Sequence, residues 1–198
     1  MPTGQQDAPI LVLFAHPAFR ASRVNRALSD AIRNLPGVHF HDLLEAYPDF
    51  YIDVAAEQRR LRMARLVVFQ YPVYWYSAPA IIKHWMDQVL VNGFAYGTGG
   101  DALAGKDLLQ VVSTGASADA YRTDGHHGYP LVELLRPVEQ TARFCRMHYL
   151  RPVVIYAGRG LTDPDLEEQA FSYRALLAGY PQTRPAPLSV GDDWGGRA

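Results

Sequence analysis

From Ile10 onward, short apolar runs alternate with stretches whose apolar positions recur every three or four residues. Ile10 to Ala15 is unbroken apolar sequence ending at His16-Pro17, and reads as a strand buried on both faces. Ser22 is a good N-cap, and after it Val24, Ala27, Leu28, Ala31, Ile32 and Leu35 line one face of a helix that Pro36-Gly37 stops. Val38 to Leu43 alternates as a second strand, and Leu44 to Asp53 reads as a loop. Ala55 to Ala64 is a helix with a basic outer face, Leu66 to Gln70 a strand, Tyr71 to Pro79 an aromatic loop, and Ala80 to Val91 a helix. A glycine-rich stretch, Asn92 to Lys106, precedes a strand at Leu108 to Ser113 and a long loop from Thr114 to Tyr129. Leu131 to Arg146 follows as a helix, with Pro137 able to kink it. Val153 to Ala157 is the last strand, and Pro164 to Leu177 the last helix, capped by Asp163.

Strand and helix alternate five times, which predicts an α/β domain: a five-stranded open parallel sheet with helices on both faces. Residues 1–180 form that single domain, and 181–198, rich in proline, glycine and polar residues, form a poorly packed tail. Sheets of this kind bind ligands at the carboxyl ends of their strands. Three loops leave those ends: His16 to Asn25, Tyr71 to Ser77, and Ser113 to Tyr129.

Composition narrows the chemistry. The chain has 198 residues, and a net charge of −1 supplies no global attraction to nucleic acid or an anionic membrane. The 48% apolar content is enough for a core, and the single cysteine, Cys145, excludes an intramolecular disulfide framework or a thiolate-rich zinc site. No apolar run approaches a membrane span, and Met1 to Pro9 lacks the pattern of a secretion signal, so the expected location is the cytoplasm.

In the first loop, a strand leads through polar residues into a helix start, where free backbone N–H groups and the helix dipole favour an anion. His16, Ser22, Arg23 and Asn25 add donors. An ordinary cap with a loop histidine is the plainer reading, and the position after the first strand moves the balance toward phosphate. In the second loop, four aromatic residues, Tyr71, Tyr74, Trp75 and Tyr76, fall within six positions, in a connection too short to bury them. They suit a stacked planar ligand or a contact between two copies of the chain. In the third loop, Ser113-Thr114-Gly115-Ala116-Ser117 allows close backbone approach, while Tyr121 and His127 are candidate proton donors. His126 and His127 diverge as neighbours, so no metal site is expected. Gly97 to Ala102 fits G-x-G-x-x-A, and Gly100 to Lys106 part of a P-loop, but both precede a strand rather than follow one and read as turns. Cys145 reads as packing.

Taken together, these residues resemble the flavodoxin-like NAD(P)H:quinone oxidoreductases, and within them the ancillary subunits of glutathione-regulated potassium-efflux antiporters. The most specific pieces are His16-Pro17 with Ser22 and Asn25, Tyr47-Pro48-Asp49-Phe50, Ile52 to Gln58, Pro72 with Trp75-Tyr76-Ser77, Ala95 to Lys106, and Ser113-Thr114-Gly115. The resemblance implies a flavodoxin-like fold and a flavin whose phosphate is held by His16, Ser22, Arg23, Val24 and Asn25. Its ring would lie along Pro72, Val73, Tyr74, Trp75 and Tyr76, and its pyrimidine edge would meet Thr114, Gly115, Ala116 and Ser117. Tyr121 and His127 take the catalytic positions. The implied reaction is ping-pong hydride transfer from NAD(P)H through the flavin to a quinone. The compact chain favours FMN over FAD. The family is typically a homodimer, with which the second loop and the Trp85, Met86 face are consistent. The other implied role is regulatory: a subunit on the cytoplasmic side of a potassium–proton antiporter, reaching the membrane only through that partner. Relatives usually carry two glycines after the threonine. Ala116 stands at the second position, where a positive φ would strain it.

Overall fold

The computed structural model describes residues 10–192. A parallel sheet of strands β1 (Ile10–Phe14), β2 (Val38–Asp42), β3 (Leu66–Pro72), β4 (Asp107–Ser113), β5 (His148–Tyr149) and β6 (Val153–Ile155) runs in the order β2-β1-β3-β4-β5, with β6 also on β4. Helices α1 (Arg23–Ile32), α2 (Leu43–Ala46), α3 (Val54–Met63), α4 (Ala80–Val89), α5 (Leu131–Phe144) and α6 (Asp163–Ala178) complete it.

The three central strands, β1, β3 and β4, are buried along their whole length. Their side chains alternate between two cores. Ile10, Val12, Leu66 and Val68 pack with Leu28 and Ile32 of α1 and with Tyr173 and Leu177 of α6. Leu11, Leu13, Val67 and Phe69 pack with Leu61 of α3, Trp85 of α4 and Leu135 of α5. An unbroken apolar run therefore serves two opposite helical layers, which is why it reads as a strand of a parallel sheet.

The predicted last strand, Val153 to Ala157, is present as β6 and ends at Ile155, and a two-residue strand that was not predicted, β5, precedes it. β5 pairs with Asp107–Leu108 at the start of β4, and β6 with Val111–Ser113 at its end. Pro152 lies in the gap, and with no N–H it cannot donate to the ladder. Several element ends also move. The first helix closes at Ile32, although Leu35 remains buried in the turn that follows. The cap of α6 is Thr162 rather than Asp163: its side chain accepts from Asp165 N–H while the Asp165 carboxylate accepts from Thr162, a reciprocal pair that fixes the boundary. Trp85 and Met86 are core residues, 1% and 9% exposed, so they offer no face to a second copy. Cys145 is buried, as packing requires.

The stretch 44–53, read as a loop, begins with the short helix α2 and is pinned by a buried carboxylate. Glu57 is fully buried; its Oε1 accepts from Tyr47 Oη (2.6 Å) and Arg60 Nη1 (2.7 Å) and lies 3.0 Å from His41 Nε2. Its Oε2 accepts from Trp85 Nε1 at 2.9 Å. Burial alone would raise the Glu57 pKa, but the contacts from His41, Tyr47 and Trp85 outweigh it and bring the carboxyl down to about 2. Burial and the hydrogen bond to Glu57 push Tyr47 up to about 12. One carboxylate thus ties β2, the 44–53 segment, α3 and α4 together.

The tail expected from residue 181 is packed for part of its length. Leu188 is buried, its N–H donates to Tyr149 O at 2.8 Å, and Arg184 pairs with Asp107. Residues 193–198 lie outside the described residues. The glycine-rich stretch is a set of turns before β4. At Gly100 a Cβ would sit 1.9 Å from Tyr96 O, so close backbone approach explains the glycine, not a phosphate. No described helix is long and apolar enough to cross a membrane, and no described cluster of side chains could hold a metal ion.

Candidate functional site

A cavity of about 460 Å3 opens at the carboxyl ends of β1, β3 and β4, where the strand order reverses direction. That volume is in the range of small-molecule and cofactor sites. All three predicted loops reach it.

The first loop passes from β1 through His16 and a short 3-10 turn, Phe19–Ala21, into α1. Ser22 caps the helix, its Oγ accepting from Asn25 N–H at 3.1 Å. The backbone of Arg23 and Val24 in the open first turn then faces the cavity. His16 Nδ1 accepts from Ala18 N–H at 3.1 Å, which fixes that nitrogen as the acceptor and leaves the ring proton on Nε2. Burial lowers its pKa, against a smaller backbone contribution that raises it. Two predicted donors turn elsewhere. The Arg23 guanidinium binds Leu161 O (2.9 Å) and Asp163 (2.6 Å), at the start of α6. Asn25 is buried behind the loop, donating to Ser113 Oγ at 2.8 Å, and its Oδ1 has no partner. It ties α1 to the end of β4 rather than bordering the cavity.

Pro72, Val73 and Tyr74 form a second wall. Beyond them the chain reverses in two residues: Tyr74 N–H and Ser77 N–H each donate to the other's carbonyl, at 2.9 and 3.0 Å. Trp75 and Tyr76 sit at the tip with φ of +47° and +65°. Such turns normally take asparagine or glycine, and two aromatic residues there hold strain of about 1–3 kcal/mol each. At the tip of this turn Trp75 is 93% exposed. Trp75 and Tyr76 do not form the walls of the cavity.

The third wall is Ser113, Thr114 and Gly115. Thr114 N–H donates to Ile155 O, Ala157 N–H to Ala116 O, and Gly158 N–H to Thr114 O, stapling this loop to the segment after β6. Gly115 and Ala116 are both absent from the positive-φ positions, so Ala116 carries no left-handed strain. A Cβ built on Gly115 meets nothing within 4 Å, so the glycine borders open space. A Cβ on Gly158 would come within 2.8 Å of Val24 Cγ2, which explains that glycine at the floor of the site.

Tyr121 and His127 are brought together, ring centroids 4.5 Å apart. Tyr76 Oη lies 3.5 Å from His127 Nδ1, linking the pair to the aromatic turn rather than to the cavity wall. Burial raises the Tyr121 pKa, partly offset by a hydrogen bond involving Thr114, so its hydroxyl keeps its proton at neutral pH. Ala116 and Ser117 lie between this pair and the cavity in sequence, outside the cavity lining.

The sequence reading omitted Arg159, which lines the cavity together with Gly158. An available signal was its place: a basic residue between two glycines, just after the last strand, at the edge of the sheet where ligands bind. With the Arg23 side chain engaged elsewhere, Arg159 supplies the cationic group at this end of the cavity.

The sequence model of the flavodoxin-like fold family matches residues 8–177. The glutathione-regulated potassium-efflux system ancillary protein KefG of Pectobacterium atrosepticum is 48% identical over 173 residues, covering 87% of this chain and 94% of that protein. The general stress protein 14 of Treponema denticola, solved in complex with FMN, is 39% identical with a TM-score of 0.80, covering 85% of this chain and 97% of that one. An NADPH-quinone reductase from P. pentosaceus is 31% identical with a TM-score of 0.78, covering 86% and 98%.

Proposed function

The chain belongs to the flavodoxin-like fold family, and from that premise we propose that it is an FMN-dependent NAD(P)H:quinone oxidoreductase. The carrying observation is one cavity lined both by the open start of α1 with Arg159 and by Gly115, beside which space is open. A phosphate fits the first and a flat ring edge the second. Bound FMN would supply the two-electron chemistry between NAD(P)H and a quinone.

The residues divide the work. Ser22 holds the first turn of α1 so that the N–H groups of Arg23 and Val24 point at a phosphate, and the helix dipole adds to the charge of Arg159. Asn25, tied to Ser113, keeps the start of α1 on β4, while His16 accepts from Ala18 within the first loop. Pro72, Val73 and Tyr74 give the apolar wall, and the exposed Trp75 and Tyr76 follow in the turn next to it. Thr114 and Gly115 border the cavity and would meet the polar edge of a bound ring, with Ala116 and Ser117 continuing the loop behind them. Tyr121 holds a proton beside His127, and the pair, outside the cavity lining, would donate hydrogen bonds to negative charge that develops on a substrate reaching it. The wild-type protein, reconstituted with FMN and mixed anaerobically with NADPH, should lose its flavin absorbance and recover it on adding a quinone. A protein that takes up no flavin, or whose flavin never bleaches, overturns the reading.

The similarity to KefG favours a second role for the same fold: a cytoplasmic regulatory subunit docked on a potassium-efflux antiporter. Flavin-free protein that still activates such an antiporter in vesicles would make docking, not turnover, the primary function. A homodimer belongs to either role. With Trp85 and Met86 buried, its contact surface would be the exposed Trp75 and Tyr51, and a monomer by light scattering at micromolar concentration would exclude it.

A further inference from the structure

A second cleft, about 420 Å3, lies at the opposite end of the sheet. It is separated from the flavin-type cavity by the length of β4, about 20 Å at the rise of a parallel strand. Its walls come from segments that adjoin the sheet there: Arg65 before β3, Lys106 and Asp107 at the start of β4, His148 in β5, and the turn after α6 that carries Tyr180 and Arg184.

The charges here do not balance. Asp107 is buried and already engaged: it accepts from Tyr180 Oη at 2.8 Å and from Arg184 Nη2 at 2.7 Å. Arg184 therefore neutralises it. Lys106 is left with neutral partners only, its Nζ donating to the carbonyls of Arg62 and Ala64. The Arg65 guanidinium beside it makes no ion pair or hydrogen bond among the described residues. Burial, and next the charge of Arg65, hold the Lys106 ammonium below its ordinary pKa. Arg65 and Lys106 thus line one partly desolvated cleft, and neither makes an ion pair among the described residues. In a folded protein that crowding is unfavourable unless something relieves it.

We propose that this cleft binds a small oxyanion of two or more negative charges, a phosphoryl or dicarboxylate group, held between Arg65 and Lys106. The Arg65 fork suits two oxygens at once, while Lys106 acts as a point charge already fixed by the two carbonyls. The ligand would join the β3 and β4 starts to the turn that carries Arg184, closing a face of the molecule that the flavin-type reaction does not use. This proposal does not depend on the redox reading.

The test is a titration of the 15N-labelled full-length protein with sodium pyrophosphate, and separately with succinate, at constant ionic strength. The amides of Gly105, His148 and Arg184 should shift with saturation for at least one probe, and whichever probe saturates identifies phosphoryl or dicarboxylate chemistry. Arg65→Gln, which leaves the Lys106 carbonyl contacts and the Asp107–Arg184 pair in place, should weaken binding about tenfold or more, as loss of a charge-assisted hydrogen bond does. Arg59→Gln, on the exposed face of α3, should leave it unchanged. Shifts confined to Ser22, Arg23 and Gly115 would put the anion in the other cavity and overturn the proposal. So would shifts that never saturate, or affinity equal in wild type and Arg65→Gln.

Discussion

Replacing Glu57 by glutamine removes one charge from a site where every oxygen is engaged. Glu57 is fully buried, and its pKa falls from 4.5 to about 2 on folding. At about 1.4 kcal/mol per pKa unit, that shift is worth about 3 kcal/mol of stability. Glutamine keeps the shape but places an NH2 group against Trp85 Nε1 or against Arg60 and His41, so a donor meets a donor. The variant should lose about 2–4 kcal/mol at pH 7, or roughly 5–15 °C in Tm for a chain of this size. The sign with pH follows from the depressed value. The stabilisation is complete above the unfolded pKa of 4.5 and disappears as pH falls toward 2, so the gap between wild type and variant should narrow through that window. Urea unfolding of both proteins, with exposed Glu167→Gln as control, measures it. A loss below about 1 kcal/mol, or a gap that does not change with pH, refutes the view that this carboxylate holds the 44–53 segment through its charge.

Ser22→Ala should cost about 1 kcal/mol through the lost cap and weaken FMN binding several-fold, read by fluorescence titration. Gly158→Ala forces a Cβ to 2.8 Å from Val24 Cγ2, so it should lower FMN affinity more than it lowers Tm; unchanged affinity would remove Gly158 from the floor of the site. Tyr121→Phe with His127→Ala should reduce quinone turnover by about 10- to 100-fold while FMN binding persists, and unaltered turnover would clear both of a role. Burial lowers the His16 pKa below 6.5, so its contribution to stability is present above that value and lost as pH falls through the folded pKa. The Tm difference between wild type and His16→Gln should accordingly shift against the wild type between pH 8 and 5, and a pH-independent difference would contradict a buried, neutral His16.

The alternation of apolar runs and helical spacing was enough to place all but one of the strands, because a buried parallel strand and an amphipathic helix leave opposite periodicities in the chain. β5 escaped because two residues carry no period. The N-cap at Ser22 and the three loops at the strand ends were also legible, since capping and loop chemistry are local. Side-chain direction was not. Arg23 looked like a phosphate ligand until Leu161 and Asp163, far along the chain, claimed its guanidinium. Trp85 and Met86 looked available to a partner until the sheet covered them.

The sequence alone settled which segments become strands and helices and which loops meet at one rim. It did so because backbone propensity and apolar spacing act between residues close in the chain. Only the folded arrangement made Arg159 a wall of the cavity, turned Asn25 away from it, and gathered Arg65, Lys106 and Arg184 at the far end. Charge and hydrogen-bond partners are decided across strands and layers, where positions far apart in sequence come within a few ångströms, and no local pattern records that distance.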